Sequence, residues 1–339
     1  MACLLSLHLQ SFLRTTTRDN NSNSYDNLYM STEKSRRGVC WRLWREFFVS
    51  ITIGTCSAWW AFVPQGHAAE ADLRERGKYV FALAGGCGCH TSAEGPTNAG
   101  GRPLKTPFGT FYGTNITPDA THGIGSWTDQ QLVDGIRLGI RPDGSVMSPV
   151  MPYPAFNGMS DEDVSALVAY LRTFPPIAQE NRPHNLSLPF SGFAHRIWRW
   201  LFFTPTVAPA QAPQAGIERG RYITDHIAHC QECHTPRTWW GTLDSARYMA
   251  GNPSGIDGEV TPNITPDQET GLGEWSEDDM VSLLKTGFLP NMDNVQGLMA
   301  LVIEGIPEGG YKDMTDADAL LVARYLKTVP AVRQKIATK

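Results

Sequence analysis

The sequence predicts an all-α protein made of two similar domains in tandem, joined by a linker and preceded by an N-terminal signal segment. Three observations predict this fold class. A set of residues recurs at a fixed spacing, one cysteine–histidine cluster lies in each copy, and the regular segments have helical periodicity. We place the signal segment at residues 1–69, the first domain at 70–178, the linker at 179–215 and the second domain at 216–339.

The N-terminal segment has the pattern of an export signal. Arginines up to Arg45 precede an uncharged stretch from Phe47 to Val63, and the small residues Ala68 and Ala69 follow. This stretch is at the short end for a membrane span, so an uncleaved membrane anchor is the alternative interpretation. Export also predicts an oxidising compartment for the rest of the chain.

The charge distribution excludes one class of partner. The chain has 29 Lys and Arg against 34 Asp and Glu, for a net charge of −5, and residues 70–339 hold 22 of those basic and 30 of those acidic residues. Nucleic-acid binding needs a basic surface, so we expect no nucleic-acid partner. An acidic exported body is compatible with a basic protein partner.

The internal repeat accounts for most of the chain. Asn115-Ile116-Thr117-Pro118-Asp119 recurs as Asn263-Ile264-Thr265-Pro266-Asp267, and glycines and a tryptophan after each motif match at the same spacing. The segment from Met159 to Pro175 matches that from Met314 to Pro330 at a slightly larger spacing. Two copies of this length indicate two domains.

Three or more short helices are predicted in each copy, with no convincing strand. A leading helix, at 72–84 and 217–229, runs into the cysteine–histidine cluster. A middle helix, at 128–138 and 276–286, begins at a hydroxyl residue and ends at a glycine. The last helix has an apolar stripe with the spacing i, i+3, i+4, i+7, and a proline follows it. The stripes are Val164, Leu167, Val168 and Leu171 in one copy and Ala319, Val322, Ala323 and Leu326 in the other.

The second cluster is a complete C-x-x-C-H motif, Cys230 to His234, which indicates covalent attachment of a c-type haem. The two thiols can bond the two porphyrin vinyl groups, and His234 can then bind the iron. A thioredoxin-type redox pair, a zinc site and a structural disulfide are the alternatives. The first needs a βαβ context, the second needs two distant ligand pairs, and the third does not require the histidine. We expect the loop at Pro236 to supply the carbonyl that orients His234.

The first cluster, Cys87-Gly88-Cys89-His90, is one residue shorter. We expect a second haem here, with His90 as iron ligand and Cys89 as one thioether. Cys87 either reaches the other vinyl group with the help of flexible glycines or leaves the haem on a single thioether.

The sixth iron ligand is predicted from the repeat. Electron-transfer cytochromes commonly use methionine there, which raises the reduction potential. Met151 and Met299 match at the repeat spacing, whereas Met147 falls on a valine and Met292 is a rival in the second copy. The alternative role for Met151 and Met299 is ordinary core packing.

Taken together, the motifs of this chain resemble those of the cytochrome c subunits of membrane-bound alcohol and gluconate-type dehydrogenases of Gram-negative bacteria. Besides the motifs above, the resemblance includes Met151-Pro152-Tyr153-Pro154, Ser160-Asp161-Glu162-Asp163 and Arg219-Gly220-Arg221-Tyr222. The resemblance implies class I cytochrome c domains, two covalently attached haems c and a periplasmic location. It also implies redox partners: a dehydrogenase subunit as donor, and a quinone-linked or terminal oxidase acceptor. Those subunits usually carry three haem domains, whereas this chain has two, so a stand-alone two-haem carrier is an alternative.

Two further questions stay open at the sequence level. A haem enzyme of the peroxidase or thiosulfate-oxidising type, with an exchangeable ligand in the first domain, is the rival to an electron carrier without catalytic activity of its own. The aromatic and basic stretch from Leu186 to Phe203 is predicted to pack over the seam between the domains or, alternatively, to form a membrane or partner docking surface.

Overall fold

The computed structural model describes residues 65–86, 88–187, 192–305 and 309–336. Nearly all of the predicted signal segment, residues 1–69, lies outside these ranges, and so does Cys87. In the ranges that are described, no helix combines the length and the apolar character needed to span a bilayer.

Helices dominate the described residues, which confirms the prediction of a mainly helical chain. In the first copy they are α1 (Gln65–Leu83), α2 (Asp129–Leu138), α3 (Tyr153–Phe156) and α4 (Asp161–Leu171). Helix α5 (Gly192–Phe202) lies between the copies. In the second copy they are α6 (Gly216–Tyr222), α7 (Gln231–His234), α8 (Glu277–Thr286), α9 (Gly297–Glu304) and α10 (Asp316–Leu326), with a π-helical turn, Ile223–Ile227, after α6.

The expectation of an all-α chain is wrong in one place. A small antiparallel sheet has the order β1-β2-β3, with β1 at Pro103–Thr106, β2 at Gly109–Tyr112 and β3 at Asn185–Leu186. These strands have two to four residues, too few to show alternation in the sequence. The pairing of β2 with β3 also joins segments far apart in the chain.

The predicted middle and last helices begin at side-chain caps. Thr128 and Ser276 form capping boxes at the starts of α2 and α8, and both helices end at a glycine in the left-handed conformation. Ser160 and Thr315 cap α4 and α10 in the same way, each accepting a hydrogen bond from the amide three residues later.

The first and last helices of each copy cross at a glycine. A Cβ on Gly77 in α1 would lie 2.0 Å from the carbonyl oxygen of Ala166 in α4, and a Cβ on Gly220 in α6 would lie 2.0 Å from that of Leu321 in α10. Only glycine permits backbones to approach so closely. The two copies thus use the same helix crossing.

The repeated Asn-Ile-Thr-Pro-Asp motif builds the same loop twice. The side-chain oxygen of Asn115 accepts a hydrogen bond from the Thr117 amide at 2.9 Å, and its Nδ2 donates to the carbonyl of Ile177 at 2.8 Å. In the second copy, Asn263 makes the corresponding bonds, at 2.9 and 2.7 Å, to Thr265 and the carbonyl of Val332. Each loop is therefore tied to the segment that follows the last helix of its copy.

The copies exchange a pair of hydrogen bonds across their interface. Tyr79 of α1 donates to Asp318 of α10 at 2.7 Å and accepts from the amide of Thr315 at 3.1 Å. Reciprocally, Tyr222 of α6 donates to Asp163 of α4 at 2.6 Å and accepts from the amide of Ser160 at 2.9 Å. Such reciprocity is the property of a two-fold-related interface. We call this set of contacts the tyrosine exchange.

Each carboxylate in the tyrosine exchange is also held by an arginine of its own copy. Arg76 contacts Asp163 at 2.7 Å, and Arg219 contacts Asp318 at 2.7 Å. The carboxylates are buried, so both partners are needed to offset their desolvation.

The segment between the copies, predicted as a linker at 179–215, contains β3 and α5. Its proline- and alanine-rich end packs on the first copy: the carbonyls of Pro209 and Ala210 accept from the first two amides of α4, at 3.0 and 3.2 Å. Ala212 is buried. These bonds satisfy helix N-terminal amides that would otherwise lack acceptors.

Candidate functional site

The second cysteine–histidine cluster lies on a single turn of helix. Cys230 is the residue before α7, and Cys233 and His234 are its last two residues. The His234 amide donates to the Cys230 carbonyl at 3.0 Å, which closes the turn. The thiols of Cys230 and Cys233 are both free. The structure therefore brings together the three side chains of the predicted motif.

The His234 ring is oriented by a backbone carbonyl. Its Nδ1 lies 2.8 Å from the carbonyl oxygen of Pro262, so Nδ1 must carry the hydrogen and Nε2 keeps its lone pair for a metal. The expectation that the Pro236 loop supplies this carbonyl is wrong. The acceptor is instead the residue that precedes the Asn263 motif, and that loop passes alongside the cluster: the Thr261 hydroxyl donates to the Cys233 carbonyl at 2.7 Å.

Burial governs the protonation of the second cluster. It raises the pKa of both the Cys230 and Cys233 thiols to about 12, with neighbouring Asp225 adding to the shift at Cys230, and it lowers the pKa of His234. Both thiols are therefore protonated and His234 is neutral at pH 7. All three side chains nonetheless keep intermediate solvent exposure, which is typical of groups that line a cleft.

The first cluster has the same histidine contact. Cys89 and His90 lie on a short 3₁₀ turn, Gly88–His90, and the Nδ1 of His90 lies 2.7 Å from the carbonyl oxygen of Thr114, the residue that precedes the Asn115 motif. Burial lowers the pKa of His90 and raises that of the Cys89 thiol, which is free. Cys87, the other predicted attachment residue here, lies outside the described residues.

The two clusters differ in how the backbone accommodates their length. Gly113 occupies the position that corresponds to Thr261, and a Cβ on Gly113 would lie 1.9 Å from the carbonyl oxygen of Cys89. In the first copy that carbonyl therefore fills the space that the Thr261 side chain takes in the second. The shorter motif draws the chain inward at Cys89, and the glycine makes this possible.

The loops that follow the two clusters touch each other. The Lys105 amide of β1, which follows the first cluster, donates to the carboxylate of Asp257, which follows the second, at 2.9 Å. After the larger effect of burial, the Cys89 thiol also raises the pKa of Cys233. The segments that follow the clusters thus meet at the interface of the copies.

The predicted methionine ligands lie in different local structures. Met151 is in the loop just before α3, whereas Met299 lies within α9. Both side chains are half-buried against the hydrophobic core. The start of α9 is tied to the loop that follows the second cluster, because the Leu298 amide donates to the Glu259 carboxylate at 3.0 Å. The rival Met292 is 82% exposed.

The arrangement of donors fits covalently bound haem. The second cluster offers two free thiols one turn apart and an imidazole whose Nε2 is available. Each histidine ring has a carbonyl partner that fixes its tautomer, as ligands of metal centres require. Half-buried methionine thioethers, such as those of Met151 and Met299, suit a soft iron centre.

Two backbone groups at the site were not identified from the sequence, whereas the two histidines that flank the second cluster are visible in it. The carbonyls of Thr114 and Pro262 have no side-chain signature, although their shared position before the repeated motif is a signal. His226 and His229, which flank the second cluster, contact the first copy. The Nδ1 of His226 lies 3.0 Å from the Ala155 carbonyl oxygen, and the His229 ring packs edge-on against Phe156.

Comparison with known proteins agrees with this picture. Residues 74–175 match the family model for cytochrome c. The chain is 38% identical to a diheme cytochrome c-type protein of Cereibacter sphaeroides, over 79% of this chain and 90% of that protein.

Two further relatives are dehydrogenase subunits. The chain is 37% identical to the cytochrome c subunit of a quinone alcohol dehydrogenase of Gluconobacter oxydans, over 78% of this chain, and 36% identical to the cytochrome c subunit of a gluconate 2-dehydrogenase of Pantoea cypripedii, over 84% of it. The matches span 57% and 65% of those subunits. On this evidence, the chain belongs to the cytochrome c family.

Proposed function

We propose that this chain is a two-haem electron carrier of the periplasm, which takes electrons from a dehydrogenase and passes them to the respiratory chain. The observation that carries the proposal is the presence of two clusters of the same design, each with a histidine whose Nδ1 lies 2.7 or 2.8 Å from a backbone carbonyl oxygen. The segments that follow the clusters are in direct contact through Lys105 and Asp257. A redox centre held at each cluster would give the chain two sites between which an electron could pass.

Each residue has a definite role in this proposal. Cys230 and Cys233 form the two thioethers of the second haem, with His234 and Met299 as iron ligands. Cys89 bonds the first haem, with His90 and Met151 as iron ligands, and Cys87 is the candidate for its second thioether. Bound haem c supplies one-electron exchange between ferric and ferrous iron.

The chain's own groups prepare that exchange. The Thr114 and Pro262 carbonyls hold a proton on Nδ1 of His90 and His234, and so present Nε2 and make it more basic. Met151 and Met299 would supply thioether ligands, which would favour the reduced state of a bound haem and raise its potential.

The identity of the donor is inferred from relatives. Their names include the cytochrome c subunits of quinone alcohol dehydrogenase, gluconate 2-dehydrogenase and fructose dehydrogenase. The alignment covers 90% of the diheme relative but little more than half of the alcohol dehydrogenase subunit, which supports a unit of two haems here.

Intact mass and a pyridine haemochrome spectrum of the purified holoprotein test the number of haems. We expect the mass of two haems per chain. A single haem would contradict the proposed relay between two centres.

Methionine substitutions with matched controls test the ligands. We expect Met299→Ala to abolish the sulfur–iron charge-transfer band of one haem and to lower its reduction potential, whereas Met292→Ala, at an exposed methionine seven residues earlier, leaves both unchanged. Met151→Ala and Met147→Ala form the corresponding pair in the first copy. If Met151→Ala changed neither property, the first iron would lack this ligand, and a haem enzyme with an exchangeable position would become the better assignment.

A further inference from the structure

Helix α5 turns its apolar stripe away from the protein. Phe193, Ile197, Trp200 and Leu201 follow the spacing i, i+4, i+7, i+8, and all four are exposed, with Phe193 at 74% and Trp200 at 81%. A surface helix normally packs such a stripe on the core. None of the residues of α5 is buried, so the helix contributes little to the core of the fold.

The opposite side of α5 holds it in this orientation. The Trp198 indole donates to the carbonyl of Trp240 at 2.9 Å. Arg199 donates to the carbonyl of Leu138 at 3.1 Å, and its guanidinium lies over the Phe203 ring, 4.8 Å from the centroid. The outward stripe therefore results from specific contacts with both copies.

The exposed aromatic area continues onto the second copy. Trp239 and Trp240 stack with a centroid distance of 3.5 Å, and Trp239 is 75% exposed. Phe202 lies 6.0 Å from Trp240, which joins this pair to α5. We call the exposed side chains of α5 together with Trp239 and Trp240 the aromatic surface. Soluble proteins seldom expose several large apolar side chains together unless another surface covers them.

The charge around α5 identifies what covers the aromatic surface. Residues 181–217 contain no aspartate or glutamate, although the chain has 34 of them. Arg182, Arg196 and Arg199 lie in this stretch, and Arg196 is exposed beside the apolar stripe. Its guanidinium also donates to the carbonyl of Gly144 at 3.4 Å. The basic helix on an otherwise acidic chain is complementary to an anionic surface.

We propose that the aromatic surface lies in the interface of an anionic phospholipid bilayer. Tryptophan favours the headgroup region, and an amphipathic helix with arginine beside its apolar stripe lies in the plane of that interface. The same membrane would repel the acidic remainder of the chain, so the aromatic surface would face the bilayer. The proposal concerns α5 and the adjoining tryptophans and does not depend on the haem assignment.

Hydrogen–deuterium exchange of the full-length holoprotein with vesicles tests this assignment. The vesicles are phosphatidylcholine alone or with about 30% phosphatidylglycerol, which gives a negative surface. We expect the amides of residues 192–202 to exchange more slowly with the anionic vesicles, and less so with the neutral ones. Because the readout is local, it applies whether or not the N-terminal segment also binds the membrane.

Matched variants distinguish membrane binding through the aromatic surface from nonspecific binding by any exposed apolar side chain. Phe193→Ser with Trp200→Ser should abolish the slowing and lower the vesicle partition coefficient about tenfold or more by removing two interfacial side chains. Met292→Ser, at another exposed apolar side chain, should preserve both. The haem content should be the same in all three proteins, which distinguishes failure of this proposal from failure of the proposed function. Unchanged exchange at residues 192–202 with both vesicles, or slowing that survives the double substitution, would overturn the proposal and assign the aromatic surface to a protein partner.

Discussion

The two cysteine–histidine clusters share a histidine contact but reach it by different backbones. In both copies a carbonyl just before the Asn-Ile-Thr-Pro-Asp motif accepts from the histidine, at 2.7 Å in the first and 2.8 Å in the second. In the second copy a π-helical turn precedes a full C-x-x-C-H motif. In the first copy α1 ends at Leu83, and Gly85 and Gly86, both with positive φ, lead into the shorter motif.

This difference shows which part of the site is constrained. The contact that orients the histidine is the same in the two copies, so it is the feature that both copies preserve. The path from the leading helix to the histidine varies, and a single position on the facing loop, Gly113 or Thr261, compensates for the variation. A one-residue loss in the attachment loop is thus absorbed locally.

Substitution of Gly113 should destabilise the protein most, because the first copy depends on a glycine where the second has Thr261. In Gly113→Thr the new Cβ would lie 1.9 Å from the Cys89 carbonyl oxygen, and backbone on both sides must move. We expect the free energy of unfolding to fall by about 3 kcal/mol or more. Urea unfolding measures this, and the Soret spectrum reports whether the first haem environment changes.

The reciprocal change, Thr261→Gly, should lower the free energy of unfolding less, by about 1–2 kcal/mol. It removes one hydrogen bond, and the glycine raises the conformational entropy of the unfolded chain. Gly192→Ala is the control, since none of the described residues has an atom within 4 Å of its Cβ position. If Gly113→Thr were as mild as Thr261→Gly, the first loop would not be shaped by the shorter motif.

The tyrosine exchange gives the second test. Its two tyrosines make equivalent hydrogen bonds, but their side chains differ in how deeply they are buried. Tyr222 is 4% exposed, whereas Tyr79 is half-buried, and burial raises the pKa of both phenols. We expect Tyr222→Phe to lower the free energy of unfolding by about 2 kcal/mol and Tyr79→Phe by about 1 kcal/mol. The buried Ser160 amide, which donates to Tyr222, has less access to water than the Thr315 amide, which donates to Tyr79. Urea unfolding of the holoproteins measures both.

A matched change within one copy controls for the loss of a phenol. Tyr325→Phe removes a bond of 3.0 Å to Asp225 inside the second copy and leaves the interface intact. The two interface variants, unlike Tyr325→Phe, should speed amide exchange in both α4 and α10. A larger cost for Tyr79→Phe than for Tyr222→Phe would show that burial does not determine the strength of these bonds.

The repeat, the leading, middle and last helices, and the C-x-x-C-H cluster could be predicted because each has a local sequence signature. The tyrosine exchange was missed for an identifiable reason. Arg76-Gly77-Lys78-Tyr79 and Arg219-Gly220-Arg221-Tyr222 match at a spacing shorter than that of the Asn-Ile-Thr-Pro-Asp motif, so one fixed offset does not align them. A search at variable offsets would have paired the two tyrosines, though not with their carboxylates.

Other features depend on contacts that no local pattern encodes. The Pro262 carbonyl was missed because backbone groups are identical at every position, so the choice between Pro236 and Pro262 depends on the path of the folded chain. The sheet was missed because β3 has two residues and its partner lies more than seventy residues earlier. The outward stripe of α5 is an amphipathic pattern like any other, and its direction is set by Trp198 and Arg199 contacts with distant loops.

Acid should weaken the Asp318 half of the tyrosine exchange. Burial alone would raise the pKa of Asp318, but hydrogen bonds from Arg219 and Tyr79 outweigh it and lower the pKa below the ordinary 3.8. The folded state therefore binds this proton more weakly than the unfolded state does. Its stabilising effect is complete above the unfolded pKa and is lost as the pH falls through the lower, folded value.

The stability difference between the wild type and Asp318→Asn, measured by urea unfolding at several pH values, isolates this effect. We expect the difference to be constant from about pH 7 to 5 and to shrink steadily below about pH 4, where Asp318 of the unfolded chain binds a proton before Asp318 of the folded chain does. Asp316→Asn, on the same helix but with its side chain 87% exposed in a surface pair with Lys285, should show little difference at any pH. A difference for Asp318→Asn that grew as the pH fell would mean that the folded pKa is raised. In that case burial would outweigh the Arg219 and Tyr79 bonds, and this half of the exchange would weaken the interface at neutral pH.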